Sequence, residues 1–235
     1  MKKIKKHTTE RKAILLGIES SGVTCAVGLS ADNRLLMEVA TNIKNIHSQR
    51  LAPFVEYALQ TVGLQMQEIN AILLSAGPGS FTGLRIGYSV AKGLAHALKI
   101  PLIEVPTLDV WAYQAGEQSN PVMPVIDAHR GEIFCALYQW ESGALNLARD
   151  YALVKPEDLP QILKTAVILT GADARKLYPQ LEAHLPLSSH LLQPSPESPQ
   201  VWALLELGFE KFRREQFADL NSCEPLYIRT FKGIS

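Results

Sequence analysis

Ser75-Ala76-Gly77-Pro78-Gly79-Ser80-Phe81-Thr82-Gly83-Leu84-Arg85-Ile86-Gly87 decides the reading of this chain. An apolar strand, residues 71–75, runs into it and a long helix leaves it. Gly77 and Gly79 let the backbone turn tightly and approach a neighbour or ligand with no Cβ in the way. Pro78 stiffens the turn between them. Thr82 is the expected cap, accepting a bond from an orphan N–H of the helix. Strand, glycine-rich turn and helix N-terminus together make an anion site. No Gly-Lys-Ser/Thr follows, so the segment is not a P-loop, and its glycine spacing is not the dinucleotide fingerprint. Two readings stay open: the chain holds a phosphate in another way, or it keeps the turn without the ligand.

Working outward, Ile14–Glu19 reads as an apolar strand ending in an acid. A turn at Ser20-Ser21-Gly22 leads to a second strand, residues 24–29, and a third follows at 35–41, giving an antiparallel meander. A helix starts at His47 or Ser48, with Leu51, Phe54, Val55, Ala58, Leu59 and Val62 at helical period, and Gly63 stops it. The helix after the glycines runs to about Leu98, and residues 101–105 form a short strand.

The pattern then partly repeats. Residues 121–126 are apolar and end in Asp127, as residues 14–18 end in Glu19, 108 residues earlier. A turn at Arg130-Gly131 leads into a strand at 133–138. The expectation is an α/β chain of two related mixed-sheet subdomains, residues 12–105 and 106–235, with the second eroded and its last segment able to return to the first. Pro156-Glu157-Asp158 starts a short helix, residues 167–170 form a strand, and Gly171-Ala172 opens another small helix. Residues 187–199 carry three prolines and several serines and read as a loop or linker. Ser198-Pro199 then caps a helix to about Phe217, with Pro at the first helical position. Residues 225–229 read as extended.

Gly83, Gly87, Ala91 and Ala95 form a ridge of small side chains along one helix face, flanked by Arg85, Tyr88, Lys92 and His96. Such a ridge admits close packing of another helix. It either packs on the chain's own sheet and preceding helix or belongs to an intersubunit bundle. For the bundle, the candidate partner or dimer interface is Leu51, Val55 and Leu59 with Gly83, Arg85, Gly87, Tyr88, Ala91, Lys92 and Ala95.

Composition bounds the function classes. Of the 235 residues, 47% are hydrophobic and 20% charged, with Lys plus Arg equal to Asp plus Glu. Such a balance provides no global pull toward nucleic acid. Cys25, Cys135 and Cys223 form neither a zinc pattern nor a disulfide framework and read as reduced thiols, mainly core. No apolar run reaches the roughly 20 residues of a membrane span. Residues 1–11 read as a basic, flexible leader, and a cytoplasmic protein is the expectation.

Glu19, Ser20 and Ser21 stand between two strands, where an acid can hold Mg²⁺ through water and hydroxyls can bond phosphate. With Gly77, Gly79, Ser80 and Thr82 they make a candidate vestigial nucleotide site for ATP or ADP with Mg²⁺, against the plainer reading of a solvated hairpin turn. Asp127-Ala128-His129-Arg130 invites an acid/base reading or that of a turn with a surface ion pair. None of the six histidines pairs at three or four residues with another, so no helical metal motif is present. No catalytic residue and no metal ligand is assigned.

Residues 14–21, 75–87 with their continuation Ala91-Lys92-Gly93-Leu94-Ala95, Asp127-Ala128-His129-Arg130-Gly131-Glu132, and Pro225-Leu226-Tyr227-Ile228-Arg229 resemble the TsaB (YeaZ) family. The likeness runs from about residue 13 to residue 230. It implies the acetate kinase, sugar kinase, Hsp70 and actin fold, and work in bacterial synthesis of N6-threonylcarbamoyladenosine beside the tRNA anticodon. It also implies a complex with TsaD, the paralogue that transfers the threonylcarbamoyl group, and with TsaE, a small ATPase. A homodimer of the free chain and tRNA contact only through the complex follow as expectations. TsaD-like chains read Val-Asn-His-x-x-x-His where this chain reads Val105-Pro106-Thr107-Leu108-Asp109-Val110-Trp111. Thr107 and Trp111 therefore stand at the metal-ligand positions, and neither is a usual ligand. Glu19 also replaces the Asp of many relatives. The resemblance thus implies a non-catalytic partner and activator of TsaD. An autonomous small-molecule kinase or ATPase of the same fold is the alternative, motivated by the turns at Glu19, Gly77–Gly83 and Gly171.

Overall fold

A computed structural model describes residues 12–226. The leader at 1–11 and most of the expected extended segment at 225–229 lie outside the described residues.

The first lobe is a five-stranded sheet in the order β3-β2-β1-β4-β5. Its strands are β1 (Ile14–Glu19), β2 (Cys25–Ala31), β3 (Arg34–Thr41), β4 (Ile69–Ser75) and β5 (Leu102–Val105). β1 pairs antiparallel with β2 and parallel with β4. Each of the six residues of β1 is buried, because helices cover both faces of the sheet. A continuous apolar run is what such a two-sided strand requires. Helices α1 (His47–Val62) and α2 (Phe81–Leu98) cover one face. Helix α6 (Val201–Arg213) covers the other through Val201, Leu204 and Leu205. On α1, Leu51, Val55, Ala58 and Leu59 recur at helical spacing and face inward. Gly63 ends α1 in the left-handed conformation, φ 71°.

The second lobe repeats this order. Its sheet runs β8-β7-β6-β9-β10, with β6 (Val122–Asp127), β7 (Ile133–Glu141), β8 (Ala144–Val154), β9 (Ile168–Thr170) and β10 (His190–Leu191). β6 pairs antiparallel with β7 and parallel with β9, as β1 does with β2 and β4. The erosion expected here is visible in the helices. Where the first lobe has the 16-residue α1, the second has a 3₁₀ turn at Pro156–Asp158 and the single-turn α4 (Leu159–Ile162). Helix α5 (Ala174–Leu181) follows β9. Helix α3 (Thr107–Gln114) covers the opposite face through Leu108, Trp111 and Ala112.

α3 and α6 form the shared layer between the sheets. The Tyr113 hydroxyl donates to Glu206 at 2.7 Å, and the Gln200 N–H donates to the Gln114 side-chain Oε1 at 2.9 Å. Residues 201–213 thus cover the first sheet, although they follow the second lobe in the chain. Three sequence expectations shift. α6 begins at Val201 after Gln200 and ends at Arg213, not near Phe217. α3 and β8 form where no element was expected. The β7–β8 hairpin turns at Ser142-Gly143, both at positive φ, 52° and 77°. That pairing is the backbone signature of a tight two-residue hairpin.

Candidate functional site

The glycine segment sits at the C-terminal end of β4, facing the β1–β2 turn. Ser80, not Thr82, is the N-cap of α2: its Oγ accepts from the Gly83 N–H at 3.2 Å. The helix begins at Phe81, so Thr82 lies within its first turn and cannot cap it. The Ser80 N–H donates to the Ser21 carbonyl at 2.7 Å. Gly79 and Gly83 are required by close approach. A Cβ at Gly79 would overlap the Ser21 carbonyl oxygen, and one at Gly83 the Ser20 carbonyl oxygen. Two donors that an anion would take at this turn, the Ser80 and Gly83 N–H groups, are therefore engaged by protein.

Glu19 lies beneath this contact and is fully buried. One carboxylate oxygen accepts from the N–H and the Oγ of Ser21, both at 2.6 Å, and the other accepts from the Ser75 hydroxyl. Burial raises its pKa, against the opposing pull of these serine donors. A carboxylate held this way is not presented to a hydrated Mg²⁺, so the Glu19 turn does not fit a metal–phosphate group. Of the seven candidate nucleotide residues, Ser21, Gly79, Ser80 and Thr82 line the open cleft between the lobes, while Glu19, Ser20 and Gly77 are buried below it.

That cleft is about 710 Å³. The second lobe contributes Asp127, His129, Asp173 and Lys176 to its wall. Asp127 accepts from the His129 N–H at 2.8 Å and from the Lys176 ammonium at 2.8 Å. Lys176 holds the Asp127 carboxyl below its usual range. The His129 ring, 85% exposed, lies 3.8 Å from the same carboxylate. This is the turn with a surface ion pair.

Thr107 and Trp111 are both buried. Thr107 is tied to Gly77 twice: its hydroxyl accepts the Gly77 N–H at 3.1 Å, and its own N–H donates to the Gly77 carbonyl at 2.7 Å. Trp111 packs into the second lobe's core with Nε1 unpartnered among the described residues. Among the described residues no cluster of three or more His, Cys, Asp and Glu can hold a metal ion. Burial pushes the Cys25 thiol up to about 11 and the Cys135 thiol up to about 12, which leaves both inert at neutral pH.

The small-residue ridge faces inward. Gly87 abuts the Ser20 hydroxyl, and Ala91 and Ala95 are fully buried in the first lobe's core. Leu51 lies in that core too, and Tyr88 is buried with its hydroxyl on Glu104. Lys92 donates to the Cys223 carbonyl at 3.1 Å. Arg85 is exposed, stacked 3.7 Å over the Phe81 ring. Sequence reasoning missed the neighbouring surface. Beside the seam of α1 and α2, an apolar groove of about 610 Å³ is lined by Val55 and Leu59 of the core stripe together with the partly buried Leu64, Met66, Val90 and Leu94. Its signal was present in Leu64, Met66, Val90 and Leu94, apolar residues left over once the core stripes are assigned.

Two lobes of one strand order, sharing a helical layer around a cleft, define the duplicated α/β class to which actin, Hsp70 and the sugar kinases belong. Residues 34–185 match the family model of TsaD, tRNA N6-adenosine threonylcarbamoyltransferase. The chain is 30% identical to the tRNA threonylcarbamoyladenosine biosynthesis protein TsaB of Bacillus subtilis, over 92% of this chain and 93% of that one. It is 30% identical to the protein of the same name from Escherichia coli, over 92% and 94%. The structure of YeaZ from Pseudomonas aeruginosa superposes with a TM-score of 0.80 at 29% identity, covering 92% of this chain and 99% of that one. The chain belongs to the TsaB family. No helix among the described residues is long and apolar enough to cross a membrane.

Proposed function

We propose that this chain is a non-catalytic, cytoplasmic partner of TsaD in the formation of N6-threonylcarbamoyladenosine on tRNA. The observation that carries the reading is the fate of the metal positions: Thr107 and Trp111 are core residues, bonded or packed within the chain. Likeness over 92% of the chain to proteins named for this biosynthesis supports the pathway. The site turned inward in the first lobe supports a role other than phosphoryl transfer. The chain docks on TsaD through the α1–α2 surface, with the apolar groove as the contact. An exposed apolar surface of this kind seeks cover, so the free chain pairs with a second copy through the same helices. TsaE joins the assembly through TsaD and this chain together, and tRNA is met only in the complex.

A mixture of TsaD, TsaE and unmodified tRNA with ATP, threonine, bicarbonate and TsaC, the enzyme that makes the threonylcarbamoyl adenylate from those three, tests this directly. Product is expected only when the chain is added. Val90→Glu, which puts a charge in the groove wall, is expected to abolish co-elution with TsaD and to cut product formation in parallel. Product formed equally well without the chain would overturn the reading. Full activity of a folded Val90→Glu variant would move the docking surface elsewhere.

A further inference from the structure

A second cavity of about 480 Å³ lies outside the interlobe cleft, between the edge of β5, the end of α6 and residues 216–226. Its volume falls in the range of small-molecule sites, roughly 300–1,000 Å³. Its wall draws on Tyr88, Glu104, Tyr151 and Lys211 from four elements, with Phe217 and Glu224 beside them. Residues 216–226 are held in place along β5. The Ala218 N–H donates to the Leu102 carbonyl, and the Leu226 N–H to the Ala76 carbonyl, each at 2.8 Å.

Two opposite charges face this cavity without meeting. The Lys211 ammonium donates to the Glu104 main-chain carbonyl at 2.8 Å, yet among the described residues it is in no ion pair. The Glu104 carboxylate accepts from the Tyr88 hydroxyl and is likewise in no ion pair. Tyr88 is itself fixed, 3.0 Å from the Glu224 carbonyl. Behind the wall, one oxygen of Asp109 accepts from Tyr138 at 2.6 Å and from Tyr151 at 2.7 Å, which locks the Tyr151 ring. Burial lowers the Lys211 pKa, opposed by the charges of Asp109 and Glu104. A part-buried ammonium and carboxylate normally close on each other, because burying either alone is costly. Here the backbone bond holds the Lys211 ammonium and the Tyr88 hydroxyl holds the Glu104 carboxylate, and both line the cavity.

We propose that this cavity binds a small zwitterion of the free α-amino-acid type, its carboxylate on Lys211 and its ammonium on Glu104. Such a ligand completes both wall charges at once. A ligand with a single charge leaves one of them unmatched. The Tyr151 and Phe217 rings flank the space left for its side chain.

The test is thermal unfolding of the full chain with each free L-α-amino acid at millimolar concentration. Each is compared with its N-acetyl form, which lacks the ammonium, and its methyl ester, which lacks the carboxylate. At least one free amino acid is expected to raise the Tm while neither derivative does. Calorimetric titration of that amino acid is expected to show affinity weakened roughly tenfold or more in Lys211→Met and in Glu104→Gln, the scale of one lost charge-assisted hydrogen bond. No shift with any free amino acid overturns the proposal, as does an equal shift with a single-charge derivative. Should a variant fail to fold, the derivative series on the unaltered chain still decides.

Discussion

Glu19 and Asp127 occupy the same place in the two lobes, at the end of the first strand, and meet opposite fates. Glu19 is fully buried, gripped by Ser21 and Ser75, with Gly79 and Gly83 pressed against the backbone of its turn. The Asp127 side chain is 18% exposed and bonded to a lysine that is itself mostly in water. One topological position thus serves packing in the first lobe and surface electrostatics in the second. The difference shows how a duplicated fold can keep its architecture while the chemistry at its cleft changes. In the first lobe the strand–turn–helix junction has become an internal joint. Its glycines are explained by contact between parts of the chain, with no ligand required.

The sharpest way to break this comparison lies within α2, which carries glycines of both kinds. Gly83 touches the Ser20 carbonyl, whereas a Cβ at Gly93 meets nothing within 4 Å. Gly83→Ala is expected to destabilise the chain by about 1–3 kcal/mol, because backbone must move to admit the methyl group. Gly93→Ala is expected to stabilise it by up to about 1 kcal/mol, the ordinary gain of Ala over Gly in a helix. Urea denaturation midpoints of the two variants measure both. If Gly83→Ala is as stable as wild type, the joint is looser than its geometry indicates, and the glycine is free for a ligand after all.

A second effect sets the two acids against each other by the sign of their pH dependence. The folded pKa of Glu19 is raised above its ordinary 4.5. The native state then holds a proton that the unfolded chain has released. Stability from this group is full below 4.5 and is lost as pH rises through the folded pKa. Asp127 is lowered below its ordinary 3.8, so its contribution is present above 3.8 and is lost as pH falls through the folded pKa. Glu19→Gln is expected to flatten the decline of stability on the alkaline side of 4.5. Asp127→Asn is expected to flatten the loss on the acid side of 3.8. Denaturation at a series of pH values, each variant against wild type, separates them. Slopes of the same sign would show that the two turns do not differ as described.

The sequence carried the skeleton of this molecule far better than its seams. The apolar runs ending in Glu19 and Asp127 revealed the duplication, because central strands covered on both faces must be apolar throughout. β8 was hidden: it is an edge strand, largely exposed, and Asn146, Arg149 and Asp150 obscure its alternation. α3 is only eight residues long and follows Pro106, too short for a periodic stripe to declare itself. The small-residue ridge was legible as a close contact, but not its target, since period alone does not tell a helix's own sheet from a partner. The inward turn of Glu19 was likewise invisible. It depends on Ser75, 56 residues away, reaching the same carboxylate.

The smallest expected effect is at Lys176, and it tests the second lobe's half of the comparison. Its ammonium sits 2.8 Å from Asp127 with a side chain 68% exposed. Water solvates the lysine nearly as well without its partner, and ordering a long side chain offsets much of the attraction. Lys176→Met is therefore expected to leave the urea midpoint at neutral pH within error of wild type. It should still bring the Asp127 carboxyl back toward its ordinary range, because that hydrogen bond is the leading cause of the depression. Carboxyl titration followed by NMR reads the second quantity independently of the first. High salt should reproduce part of the same change in the unaltered chain, since screening acts on exposed pairs. A large loss of stability in Lys176→Met would make the second turn a structural joint like the first. An unchanged Asp127 titration would mean that the Asp127 carboxyl is held by the His129 N–H instead of by the lysine.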